Sequence, residues 1–155
     1  MWNFRLKFLW ITFSLACLLS GSFIYLAYRP TNLRMFSWIE ILGIEKYIIN
    51  LRTTVKGIPL NDFFINNLPN GLWVMSLTIL LLIIWENNYN RIFKIYFSIL
   101  SLLVILPEIF QLFNIISGTF DIIDLIVHLC CLIIPSFLVG LHKRRSIFFF
   151  KQIGG

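Results

Sequence analysis

Glu108, Gln111, Asp121, Asp124 and His128 are the side chains best suited to chemistry in a chain that is otherwise strongly apolar. Carboxylates beside an amide and an imidazole can hold a cation or orient a polar headgroup. With Glu108 or His128 as general base they could also act on a bound substrate. The same donor types suit a divalent ion. No Ser-His-Asp arrangement stands at readable spacing and no phosphate-cradling glycine loop is present, so catalysis is the less expected use; no cofactor and no metal ligand is assigned. An ionisable group placed in hydrocarbon costs about 2.5–3.5 kcal/mol on insertion scales. Several such groups in one short stretch therefore call for an explanation. Four of the five also have a plain structural use. Asp121 with Asp124 has the form of a helix-start cap, Gln111 can bond a neighbouring backbone, and His128 can pair with Glu108. Glu108 alone has no capping use.

The chain around them is built for a membrane. Of its 155 residues 59% are hydrophobic and 13% charged, and the mean hydropathy is +0.86. A soluble domain carries about 25% charged residues. The expected architecture is all-α, a single membrane domain over residues 1–155. Four transmembrane helices are expected at about 8–28, 66–85, 92–113 and 120–141, each long enough for a bilayer core of roughly 30 Å. The net charge of +6 reads as a positive cytoplasmic face and not as a nucleic-acid surface. Cys17, Cys130 and Cys131 all fall in apolar segments and read as small packing residues.

Residues 8–28 follow a basic start, as in a signal peptide. The apolar run is longer than a signal core, which favours an uncleaved helix. Arg29-Pro30 ends it. Over residues 35–51, apolar side chains alternate with Glu40, Glu45, Lys46 and Asn50 at rough helical spacing, predicting one interfacial amphipathic helix. Asn67 reads as a cap and Pro69 as an early helical residue of the second span. Pro107 is an expected kink, Gly118 marks the turn before the fourth span, and a frayed tail follows His142-Lys143-Arg144-Arg145. With the N-terminus inside, eight of the 13 basic residues fall on the inner side and five in the long first loop. That places both termini in the cytoplasm.

This topology brings the reactive residues to one place. Glu108 and Gln111 lie three apart on one face of the third span. Asp121, Asp124 and His128 follow i, i+3, i+7 along the outer half of its antiparallel neighbour. Asn66, Asn67 and Asn70 can reach the same region from the second span, with Arg29 and Arg34 as counter-charges. The expectation is a polar, mostly anionic pocket opening to the outer face.

Glu108-Ile-Phe-Gln111, a short glycine-containing turn and Asp121-Ile-Ile-Asp124 together resemble the VanZ-like membrane protein family. That family carries a Glu-x-x-Gln on one helix and paired aspartates opening the next. Where it usually has an Arg in the turn, this chain has Ser117-Gly118-Thr119, and His128 stands in place of its usual Asn. The resemblance implies a bacterial envelope protein of the cytoplasmic membrane, linked to glycopeptide (teicoplanin) resistance. The expected partners are a membrane lipid and an envelope precursor, or a membrane protein for which the chain is an accessory subunit; a lipid-modifying enzyme is a third reading.

Overall fold

The structure, a computed structural model, describes residues 4–85, 88–116 and 119–153, the side chains of Arg34 and of residues 139–153 excepted. Among the described residues it is all-helical, without strands: α1 (Phe4–Tyr28), α2 (Arg34–Ile41), α3 (Glu45–Val55), α4 (Leu68–Trp85), α5 (Arg91–Leu112) and α6 (Ile122–Ile153), with a π-helical turn, Phe63–Asn67, running straight into α4. Three stretches, Phe4–Tyr28, Phe63–Trp85 and Arg91–Leu112, are long and apolar enough to cross a membrane, and Ile122–Leu138 is a shorter apolar stretch. Leu19, Leu103, Ile133 and Phe137 are among many large apolar side chains left exposed. A surface of this kind is compatible with an integral membrane protein.

The single helix expected over 35–51 is two helices. At Gly43 (φ +69°) the chain turns left-handed. Gly43 N–H donates to the Glu40 carbonyl at 3.0 Å and Ile44 N–H to the Ile39 carbonyl at 3.3 Å. This pair of bonds ends a helix on a residue without a Cβ. The same device ends α5, where Asn114 takes the left-handed position (φ 55°). Asn114 N–H bonds the Gln111 carbonyl at 3.0 Å and Ile115 N–H that of Phe110 at 2.8 Å. Asn114 is thus the residue that stops α5; Ser117 and Gly118 lie outside the described residues. Pro107 and Pro135 sit inside continuous helices. The helix expected to end at 141 continues to Ile153, since residues 141–153 hold neither Gly nor Pro and include good helix formers. Gly154 and Gly155 lie outside the described residues.

Four contacts fix how the long helices run. Ser14 meets Ser76, whereas Gly21, farther along α1, abuts Pro69 and Trp73 near the start of α4. α1 and α4 are therefore antiparallel. Asn67 meets Asp121 and Asp124, and Gly71 abuts Val127 and Cys131, so α4 and α6 run parallel. The end of α1, the start of α4, the end of α5 and the start of α6 consequently share one end of the bundle. α4 is the central helix, with 44% of its most apolar window buried against 17% for α1 and 11% for α5. The opposite end is closed by Leu82 and Phe93 with Trp10, Trp85 and Phe97 around them.

Candidate functional site

The shared end carries the polar residues, and Asn67 is their hub. It is 4% exposed, and its Nδ2 donates to Asp121 Oδ2 at 2.9 Å and to Asp124 Oδ1 at 3.0 Å. This corrects its expected use as a cap. The helix does not start there, because the π turn already runs through Phe63–Asn67 into α4. Pro69 lacks an N–H, so the regular i→i−4 ladder must break near this point, and a π turn is one way to absorb the break. The side chain of Asn67 is thereby left free to reach across to α6.

Asp121 does what a helix-start residue is expected to do and something more. Its Oδ1 accepts from Ile123 N–H at 2.8 Å, which caps the first turn of α6, while Oδ2 takes the Asn67 amide. The Asn67 amide first, and then the Ile123 N–H, hold this carboxyl below the usual carboxylate range. Asp121 precedes the helix, outside its apolar stretch. Asp124 does not close a reciprocal capping box, because the Asp121 N–H that such a box needs faces Glu108, while Asp124 Oδ1 takes the Asn67 amide.

Glu108 comes to the same cluster from α5. It is 6% exposed, lies within Coulombic range of Asp124 and Asp121, and faces the backbone amide of Asp121. Its Oε2 is buried without a hydrogen-bond partner. His128 is 7% exposed, one turn deeper along α6, and within range of Asp124. Its Nδ1 is likewise buried and unpartnered. No hydrogen bond joins Glu108 to His128, so the expected pairing of the two is not made. The cluster thus brings five of the named side chains together, Asn67, Glu108, Asp121, Asp124 and His128. Among the described residues no group of three His, Cys, Asp or Glu side chains converges on one metal-ion position.

The remaining candidates are placed differently. Gln111 is half-buried and its side chain makes no hydrogen bond among the described residues. Asn66 contributes its carbonyl, which accepts from Arg29 Nη2 at 2.7 Å, and Asn70 Nδ2 reaches that same carbonyl at 3.4 Å. Among the described residues Arg29 makes no ion pair with the carboxylates. Its guanidinium lies over the Tyr25 ring, 5.5 Å from the centroid, and its Nε is buried without a hydrogen-bond partner. The Arg34 side chain lies outside the described residues.

Arg52 matters at this end although nothing in its local sequence singles it out. Its Nη1 donates to the carbonyls of Leu26 and Arg29, each at 2.9 Å, covering the last turn of α1 and docking α3 there. A basic residue on an amphipathic helix looks solvent-facing until that helix is folded back onto α1. No protein-family model matches the chain, and no curated protein or solved structure is significantly similar to it.

Proposed function

We propose that the chain is a small VanZ-like membrane protein whose polar end binds a lipid headgroup or a cell-envelope precursor. In this reading it crosses a bacterial cytoplasmic membrane four times, with α6 as the fourth crossing. α2 and α3 lie along the outer surface and both termini are cytoplasmic. Glu108 and Asp124 supply negative charge, while Gln111 and His128 orient the bound group by hydrogen bonding.

The observation that carries this reading is Glu108 Oε2, buried with no donor facing it. An unpaired buried carboxylate is costly to keep, and a ligand bearing N–H or O–H donors would offset that cost. The resemblance around Glu108 and Asp124 supplies the envelope context and the link to teicoplanin. The test is to express the chain and its Glu108→Gln variant in a teicoplanin-susceptible bacterium. Wild type is expected to raise the inhibitory concentration and the variant to lose that gain at equal membrane abundance. Equal tolerance in both would remove Glu108 from the function.

A second reading, an accessory subunit of a membrane complex, is favoured by Asn67. Its two bonds tie α4 to α6 in the manner of polar glue between helices. Recovery of one stoichiometric membrane partner with the tagged chain would support it.

A further inference from the structure

We propose that a second site, separate from the Glu108 cluster, holds the phosphate and upper acyl chain of an anionic phospholipid. It is a cavity of about 580 Å³ between the end of α1, the last turns of α3 and the approach to α4. Ligand sites commonly fall between roughly 300 and 1,000 Å³.

Its wall is largely apolar, with Ile49, Val55, Leu60 and Ile65 among its residues, and two cations, Arg52 and Lys56, line it without any carboxylate. Neither cation is ion-paired to a carboxylate among the described residues. Arg52 is held in place by a single nitrogen, since only Nη1 donates to the Leu26 and Arg29 carbonyls. Its Nε and Nη2 have no acceptor among the described residues. Its guanidinium also rests over the Phe36 ring, 5.6 Å from the centroid. A guanidinium held by one nitrogen and a ring face keeps N–H donors for a phosphate oxygen pair. Lys56 follows α3 directly and adds a mobile point charge to the same rim.

The position of the cavity selects the source of that phosphate. Ala27 and Tyr28 line it from the end of one membrane-length helix, and Ile65 from the start of another. In the membrane topology proposed above, on which this inference rests, that is the level at which headgroups meet acyl chains. A dissolved phosphate would use the two cations and leave the apolar wall wet, whereas a phospholipid uses both. Basic groups at this depth attract anionic lipids.

The full chain, reconstituted in nanodiscs of mixed phosphatidylcholine and phosphatidylglycerol, gives the test. Lipids that stay bound through detergent extraction are quantified by native mass spectrometry. Phosphatidylglycerol is expected to be retained in preference to phosphatidylcholine. Lys56→Glu should lower that preference about fivefold to tenfold, and Leu60→Trp, which fills the cavity and leaves both cations, should lower retention of the lipid itself. Arg52 is left intact because α1 depends on it. Unchanged retention in both variants would overturn the proposal. So would displacement of phosphatidylglycerol by glycerol phosphate at equal concentration, which would mean that the apolar wall contributes nothing. None of these readouts depends on Glu108.

Discussion

The seam between α1 and α4 and the end where α4, α5 and α6 meet both bury polar atoms in an apolar molecule, but they treat them differently. In the seam every polar group named here has a partner. Ser14 Oγ lies 3.0 Å from both the carbonyl and the Oγ of Ser76. Trp73 Nε1 donates to Ser22 Oγ at 3.2 Å, and Thr78 Oγ1 donates back to the Val74 carbonyl at 2.8 Å. At the polar end the Asn67 Nδ2 is paired, yet Glu108 Oε2, His128 Nδ1 and Arg29 Nε are not. Burial of polar atoms therefore does not mark a site in this protein. Small hydroxyls serve close helix packing, and the unsatisfied atoms are the ones that need a further explanation.

The largest effect that tests this contrast belongs to the seam. A Cβ on Gly21 would stand 2.9 Å from the Pro69 carbonyl oxygen and 3.0 Å from Trp73 Cδ1. The first of these is backbone and cannot turn aside. Gly21→Val should force α1 away from α4, break the Ser14–Ser76 contact and cost about 2–3 kcal/mol. Thermal unfolding in detergent would read this as a large fall in midpoint. A midpoint like wild type would mean that the helices do not approach as closely as the seam requires.

A smaller effect is expected at Asn67. Asn67→Ala leaves two neighbouring carboxylates without their shared donor, at a cost of about 1–3 kcal/mol near neutral pH. The sign of its pH dependence follows from Asp121, whose carboxyl is held low first by this amide. A group with a depressed folded-state pKa contributes stability that is present above its ordinary pKa. That stability is lost as pH falls through the depressed value. The difference between wild type and Asn67→Ala should therefore narrow on acidification. Unfolding midpoints of the two proteins at neutral and at acidic pH would show it, and a gap that widens would deny Asn67 this role.

The parts legible in the sequence are those set by pattern over many residues. Long uncharged runs locate the apolar helices to within a few residues, except at the end of α6, which runs twelve residues past 141. The i, i+3 and i, i+7 spacings place Glu108, Asp124 and His128 where one cluster can form. What escapes the sequence depends on single side chains choosing between partners. Asn67 stands two residues before a proline and has the type of a cap, but the π turn frees it to cross to α6. Arg29 is near the carboxylates in the chain's topology, yet the Asn66 carbonyl and the Tyr25 ring take it instead. Gly43 reads as one more position in an amphipathic pattern until its left-handed backbone splits the helix. Periodicity has no term for such choices: Asn67 is decided by α6, a distant segment, and Gly43 by the backbone of its own turn.

The smallest expected effect is also the most informative. Glu108→Gln keeps the shape of the side chain and its ability to accept from the Asp121 amide, and its new N–H₂ can turn toward Asp124. It replaces a buried carboxyl group that has no partner on one oxygen. Changing an unsatisfied buried group is not destabilising in the way that breaking a satisfied pair is. The variant should unfold within roughly 0.5 kcal/mol of wild type, or slightly above it. Unfolding midpoints measured beside those of Gly21→Val and Asn67→Ala place it on one scale. A loss as large as that of Asn67→Ala would put Glu108 with Ser14 and Ser76 as a group that holds helices together. A stable protein lacking activity leaves Glu108 with one remaining use, contact with something the chain itself does not supply.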